Sequence, residues 1–159
     1  MDFLTSKSKV KQMSIIVDNK KARFDYEVLE AFEAGMVLEG WEVKSIRAKN
    51  CNIRAAWVSI DKKDELFLKN FKISLYPFSS EIQETERPRK LLLKKKEISK
   101  IKNYLNEAGR TVVPMRIFTK NGRLKLEIAV VRGKKKYEKK QILKERSVDR
   151  EIRRDIKNY

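Results

Sequence analysis

The stretch TVVPMRIFTKNGRLKLEIAVV, residues 111–131, decides the fold of this chain. Two extended runs flank Asn121 and Gly122, and Asn-Gly is the strongest two-residue signal for a β-hairpin. Alternate positions of the second run are aliphatic and therefore share one face of a strand; they are Leu124, Leu126, Ile128 and Val130. We expect this hairpin to form one wall of the hydrophobic core.

Short strand-like runs also precede the hairpin. Apolar and acidic residues alternate from Phe24 to Val28, and three further runs lie at residues 56–61, 65–70 and 72–76. Closely spaced strands of this kind are typical of a small barrel or sandwich. Between residues 19 and 131, helical spacing is confined to two short segments, at residues 41–48 and 97–108. The sequence therefore predicts a mainly β domain with a few short helices.

The charge of the chain is concentrated in separate segments. Its 159 residues include 39 Lys and Arg against 22 Asp and Glu, a formal net charge of +17. Residues 24–86 are slightly acidic, whereas residues 87–102 have eight basic residues and one acidic residue, and residues 132–159 have twelve and five. A near-neutral body with basic segments is the electrostatic footprint of a nucleic-acid-binding protein. Solvated lysines without a partner are the alternative interpretation.

The composition excludes several kinds of site. Without any His, the chain cannot build Ser-His, Cys-His or His-metal sites. The single Cys51 excludes an intramolecular disulfide and a cysteine-rich zinc site, and we expect it to be structural. The longest apolar runs fall far short of the ~20 residues that span a membrane, and the N-terminus lacks an apolar signal core. We expect a cytoplasmic protein without a cofactor.

The two ends of the chain differ from a body at residues 19–131. Residues 1–18 contain little apolar surface before Ile15, which predicts a flexible N-terminal arm. Residues 132–159 begin with a lysine-rich run and continue with apolar residues at every fourth position. That apolar stripe is too narrow to stabilise an isolated helix. We therefore predict a basic C-terminal tail that is disordered alone and helical when a partner holds it.

Several motifs occur together in the order and spacing of one known family. They are NKKAR (19–23), FEAG (32–35), LEGWEVKSIR (38–47), RPRKLLL (87–93), RGKKKYEKK (132–140) and ILKER (142–146). From residue 19 to 157 the chain resembles the small protein B family, the SsrA-binding proteins of bacterial trans-translation. The resemblance implies an OB-fold-like antiparallel β-barrel with a few short helices. It also implies binding to the tRNA-like domain of transfer-messenger RNA, which the family helps to enter stalled ribosomes.

The resemblance implies an RNA-binding surface on the body. Its expected members are Asn19, Lys20, Lys21, Arg23, Glu33, Gly35, Glu42, Lys44, Ser45, Arg47, Arg87, Arg89, Lys90, Leu92 and Lys94. The Glu33 carboxylate can accept hydrogen bonds from base amino groups or a ribose hydroxyl, although a purely structural ion pair is an equal alternative. In an extended chain Leu92 points away from its two leucine neighbours, which predicts an exposed leucine among basic residues.

The resemblance also implies a ribosome-binding tail, acting alongside elongation factor Tu. Residues 134–140 are expected at the decoding region of the small subunit, and residues 141–157 are expected to form a helix in the empty messenger channel. The expected contact residues are Lys134, Lys135, Lys136, Tyr137, Glu138, Lys139, Lys140, Arg150, Ile152, Arg153 and Ile156. Tyr137 can stack on a ribosomal base.

The chain departs from the family pattern at two places. Relatives commonly have His where this chain has Phe24, so a hydrogen bond from that imidazole is lost. The usual Asp-Lys-Arg of the tail is Glu138-Lys139-Lys140, which replaces a bidentate guanidinium by a point charge.

Two rival functions can be compared with this interpretation. The first is a general nucleic-acid-binding OB-type barrel without ribosomal specificity. The second is an RNA-processing enzyme that uses Glu33, Glu39 or Glu42 as metal ligands. Since the sequence contains no paired Asp motif and no phosphate-binding loop, we expect a binding protein and no enzyme.

Overall fold

A computed structural model of the chain describes residues 13–78 and 83–157. Nine strands and four helices occur in these two ranges. The strands are β1 (Met13–Asp18), β2 (Tyr26–Met36), β3 (Cys51–Asn52), β4 (Trp57–Ile60), β5 (Leu66–Lys69), β6 (Lys72–Ile73), β7 (Arg89–Leu92), β8 (Arg110–Lys120) and β9 (Arg123–Gly133). The helices are α1 (Lys20–Asp25), α2 (Gly40–Arg47), α3 (Lys95–Leu105) and α4 (Lys136–Lys157).

Seven of the strands form one antiparallel sheet in the order β1-β8-β9-β2-β7-β5-β4. Strands β3 and β6 form a separate two-stranded ribbon. The sheet curls, so that Cα atoms of β4 come within 8 Å of β8, but no backbone pairing joins these two strands in the described ranges. The prediction of a mainly β, antiparallel fold with a few helices is confirmed, and the closure of a barrel stays a prediction.

The hairpin at residues 110–133 is the centre of the fold, as the sequence predicted. Asn121 and Gly122 have φ values of 53° and 76°, the two positive values that a tight hairpin turn requires. Leu126, Ile128 and Val130 are fully buried in the main core. The opposite face is also buried, because Ala129 and its neighbours pack under α1 in a second cluster with Ala22, Val113, Met115 and Val131.

Two predictions near the N-terminus were wrong. Residues 13–18 form the edge strand β1 on β8, where the sequence predicted a flexible arm; residues 1–12 lie outside the described residues. Residues 20–25 form helix α1, where the sequence predicted a strand from Phe24. The reason is the helix cap at Asn19, whose side-chain oxygen accepts from the amide of Ala22 at 3.2 Å while its Nδ2 donates to the Pro114 carbonyl at 2.9 Å.

The tail forms α4, a helix of 22 residues with no buried side chain. Its helical form agrees with the sequence, and disorder of the isolated tail stays a prediction. Strong helix formers fill it, and contacts within the helix support it, such as that between Gln141 and Glu145. Within the described ranges, no helix is long and apolar enough to cross a membrane.

Candidate nucleic-acid interface

A cleft opens where the adjacent strands β9, β2 and β7 meet the start of α3. Its volume is about 490 Å³. We call it the Leu92 cleft, and it is lined by Glu33, Gly35, Leu92, Leu93, Lys94, Glu97 and Lys125. Four of these residues were expected at the RNA-binding surface from the sequence, namely Glu33, Gly35, Leu92 and Lys94. The structure therefore brings these four residues together, although Glu33 and Lys94 lie 61 positions apart in the chain.

The register of the sheet places three of these residues in one row. Gly35 of β2 is paired with Leu92 of β7 on one side and with Lys125 of β9 on the other. Leu92 is 53% exposed, which confirms that it points away from the core. A Cβ atom at Gly35 would lie 3.3 Å from the Leu92 Cβ atom, so glycine gives the leucine room beside β2. The row presents an apolar side chain next to a cation.

Glu33 stands two residues before Gly35 on the same strand. Its carboxylate forms an ion pair with the Lys120 ammonium at 2.9 Å, and both side chains are partly exposed. A solvated pair of this kind contributes only about 0–1 kcal/mol to stability. A carboxylate has about four acceptor positions, so oxygen lone pairs remain for a base amino group or a ribose hydroxyl. The structural ion pair and the RNA contact are therefore compatible.

Lys125 was missed from the sequence. It lies between Leu124 and Leu126, whose side chains face the core, so its own side chain belongs to the opposite face of β9. The alternation alone indicates an outward lysine. Only the pairing of β9 with β2, which connects segments about 90 residues apart, places that lysine beside Gly35.

A buried ion cluster lies behind this surface. The Arg89 guanidinium donates to the Glu42 carboxylate at 2.6 Å, and Arg87 donates to the other oxygen of the same carboxylate. Arg89 also donates to the backbone carbonyls of Phe71 and Thr85. Burial lowers the pKa of Arg89, and the hydrogen bond to Glu42 opposes that shift. We call Glu42, Arg87 and Arg89 the Glu42 ion cluster; it joins α2 to β7.

Four of the residues expected to contact RNA have their side chains inside the protein, and direct RNA binding by them stays a prediction. Glu42 and Arg89 are completely buried in the ion cluster. Asn19 is buried as the cap of α1, and the buried Ser45 donates to the backbone carbonyl of Ser74 at 2.9 Å. These four residues occur in basic and polar motifs, but their side chains form hydrogen bonds to other groups of the protein.

The remaining expected residues of the body have polar groups at or near the surface. Lys20, Lys21 and Lys94 are exposed. Others have protein partners that RNA can displace at little cost, because the contacts are solvated: Arg23 pairs with Asp18, Lys90 pairs with Glu65, Arg47 donates to the Gly122 carbonyl, and Lys44 lies over the Tyr76 ring. Arg87 has a side chain that is 22% exposed beside the buried Glu42.

The expected residues of the tail divide into two groups. Lys134 and Lys139 contact the body, and Glu138 accepts from the amide of Lys135 at 3.3 Å. The others are exposed, and they are Lys135, Lys136, Tyr137, Lys140, Arg150, Ile152, Arg153 and Ile156. The Lys135 ammonium lies 6.0 Å from the centre of the Tyr137 ring. The exposed group combines cations with one aromatic ring and two aliphatic side chains.

The residues that could perform chemistry have other roles here. Burial raises the pKa of the Cys51 thiol to about 11, so it is protonated at neutral pH and unsuited as a nucleophile. Among the described residues, no group of three or more His, Cys, Asp or Glu side chains is placed to hold a metal ion. The carboxylates of Glu39 and Glu42, considered above as metal ligands, are bonded to the Trp41 indole and to arginines respectively.

The model of the SmpB protein family matches residues 16–158. The chain belongs to the SmpB family. The resemblance seen in the sequence motifs is thereby confirmed, over nearly the same residues.

Known SsrA-binding proteins align with this chain over almost their full length. The SsrA-binding protein of Streptococcus mutans is 42% identical, with 93% of this chain and 96% of the relative covered. The SsrA-binding protein of Mesomycoplasma hyopneumoniae is 46% identical, with 92% and 99% covered. A solved SmpB-family fold is also similar, from the structure described as "tmRNA-SmpB: a journey to the center of the bacterial ribosome". Its TM-score is 0.64 at 36% identity, covering 77% of this chain and 87% of that one.

Proposed function

We propose that this SmpB family member is an RNA-binding adaptor of trans-translation. It binds the tRNA-like domain of transfer-messenger RNA and delivers that RNA to stalled ribosomes, alongside elongation factor Tu. Its tail detects an empty messenger channel by forming a helix in it. Such an adaptor works where ribosomes translate, in the bacterial cytoplasm. Its contribution is binding and positioning, and no chemical step is assigned to it.

The observation that carries the proposal is the row Leu92, Gly35 and Lys125 in the Leu92 cleft. An exposed leucine beside a cation matches an unstacked base and its neighbouring phosphate. Glu33 and Glu97 add hydrogen-bond acceptors to the same cleft. A surface with both signs of charge suits base edges and ribose hydroxyls, which carry the information in folded RNA, better than it suits phosphates alone.

Strand β2 separates this cleft from the tail. Gly35 lies at the cleft, whereas Tyr26 at the start of β2 is paired with Gly133, the last residue of β9 and three positions before α4. The nine residue-to-residue steps from Tyr26 to Gly35 span roughly 30 Å. One end of the body can therefore hold the tRNA-like domain while the other end directs the tail toward the small subunit. This separation is what an adaptor between two large partners requires.

Replacing Leu92 by Ala is expected to weaken binding of the tRNA-like domain roughly 5- to 30-fold. The leucine loses about 1–2 kcal/mol of apolar burial against the RNA. The matched control is Leu75→Ala, because Leu75 is also more than half exposed but lies outside the cleft. Fluorescence anisotropy with a labelled tRNA-like domain, at one fixed salt concentration, measures both variants.

An unrelated structured RNA of matched length serves as the competitor in the same titration. Equal loss of affinity in the two leucine variants, or no preference of the parent protein for the tRNA-like domain, contradicts the proposal. The second outcome would support the rival interpretation, a general nucleic-acid-binding barrel, because backbone electrostatics alone do not discriminate between RNAs of equal length.

A further inference from the structure

The first three turns of α4 lie against α1. The Lys139 ammonium is 3.3 Å from the Asp25 carboxylate, and the Arg146 guanidinium lies 5.7 Å from the centre of the Phe24 ring. Phe24 and Asp25 are the last two residues of α1, and we call them the α1 docking site. The linker before α4 is fixed at the same place, because Lys134 donates to the backbone carbonyls of both Arg23 and Asp25.

The contacts select one face of the tail helix. Lys139 and Arg146 are seven residues apart, two turns of an α-helix, and so lie on the same side. Ile142 lies between them on that side and is only partly exposed. It lines a cavity of about 320 Å³ between α4 and the ends of β2 and β9. The docked face is therefore the side of α4 that turns toward the body.

The apolar stripe of the tail is left free by this arrangement. Val148, Ile152 and Ile156 are all exposed, and at 100° per residue they lie roughly a third of a turn away from the docked face. Beyond Arg146, no ion pair or ring contact to the body occurs in the described part of α4. Docking holds the base of the helix and leaves its distal half available.

We propose that Phe24 and Asp25 are positioning residues for the tail helix. They hold its first three turns in helical form and fix its direction relative to the body, so that the distal half is presented to the small subunit in one orientation. This inference rests on the proposed function, because it concerns the helix that would enter the messenger channel. Neither residue belongs to the Leu92 cleft or to the residues expected at the RNA-binding surface, so affinity for the tRNA-like domain is measured separately from this role.

Pulsed electron paramagnetic resonance, which measures the distance between two nitroxide labels, tests the docking directly in the full-length protein. Nitroxide labels are placed at Lys63→Cys and Asp149→Cys in a Cys51→Ser background. We expect one narrow distance distribution in the parent protein, a broad one in Phe24→Ala, and a narrow one again in Phe24→Tyr, which keeps the ring. Phe78→Ala is the matched control, since Phe78 is exposed and distant in sequence from both helices. A broad distribution in the parent protein, or a narrow one in Phe24→Ala, overturns the proposal.

A charge exchange and a functional readout complete the test. Asp25→Lys and Lys139→Asp should each broaden the distance distribution, and the double variant should restore the narrow one.

In a reconstituted tagging reaction on stalled ribosomes, Phe24→Ala is expected to tag about three- to tenfold more slowly, with unchanged affinity for transfer-messenger RNA. Tagging at the parent rate by Phe24→Ala refutes the positioning role. Failure of the parent protein to tag at all refutes the proposed function instead, whatever the distances show.

Discussion

Deletion of residues 136–159 is expected to abolish peptide tagging of stalled chains while the body stays folded and binds transfer-messenger RNA. The deletion removes α4, which has no buried side chain, and leaves every strand of the sheet complete. The Leu92 cleft is also untouched. RNA affinity should fall only by the loss of the attraction between the deleted segment and the RNA phosphates, since that segment has nine basic and five acidic residues. Anisotropy and reconstituted tagging measure the two properties separately.

Ile152→Pro is the control that keeps nearly all of the tail. Proline in a helix interior costs roughly 3 kcal/mol or more, whereas the charge of the tail does not change. Ile152 is in the distal half of α4, beyond the contacts with α1. We expect this variant to bind RNA normally and to fail in tagging. Normal tagging by Ile152→Pro would mean that the tail acts as an unstructured polycation, and normal tagging by the deletion variant would remove the tail from the mechanism.

Glu42→Ala is expected to destabilise the body by about 3–5 kcal/mol, the largest stability effect that we predict. The substitution leaves the buried Arg89 guanidinium without its carboxylate partner, and an unpaired buried charge is costly. Urea denaturation followed by circular dichroism gives the free energy of unfolding. Lys90→Ala is the matched control, because Lys90 pairs with Glu65 on the surface and its loss should cost about 0–1 kcal/mol.

The double variant Glu42→Leu, Arg89→Leu distinguishes an unpaired charge from lost packing. Replacement of a whole buried ion pair by apolar side chains is often close to neutral, so much of the stability should return. A small effect of Glu42→Ala, equal to that of Lys90→Ala, would contradict a structural role for the Glu42 ion cluster. Glu42 would then again be a candidate for direct RNA contact.

The centre of the fold was predictable because its signals are local. The Asn121-Gly122 turn and the alternation from Leu124 to Val130 depend on neighbouring residues alone, and the structure has both. The exposure of Leu92 was predictable for the same reason, since it follows from the direction of side chains in an extended segment. Local periodicity thus located the core hairpin and one member of the candidate site.

The burial of charged residues was not predictable from local pattern. Arg89 lies in a basic motif, and the sequence alone cannot indicate that β7 turns this side chain inward to a glutamate 47 positions earlier. Lys125 is the converse case, because its place beside Gly35 depends on the pairing of β9 with β2. Helix α1 was also missed; the bond of its Asn19 cap to Ala22 is local, but the Asn19 side chain is also held by the Pro114 carbonyl, 95 positions away. Each of these features depends on pairing between distant segments.

The RNA that accompanies the protein in its own cells tests the central claim most directly. The chain, carrying a small affinity tag, is purified from the source bacterium at moderate salt, and the bound RNA is sequenced. We predict one dominant species with a tRNA-like end and an internal reading frame, enriched far above its cellular abundance, and loss of that enrichment in Leu92→Ala but not in Leu75→Ala. Recovery of many structured RNAs in proportion to their abundance would contradict the proposal that the protein is a transfer-messenger RNA adaptor.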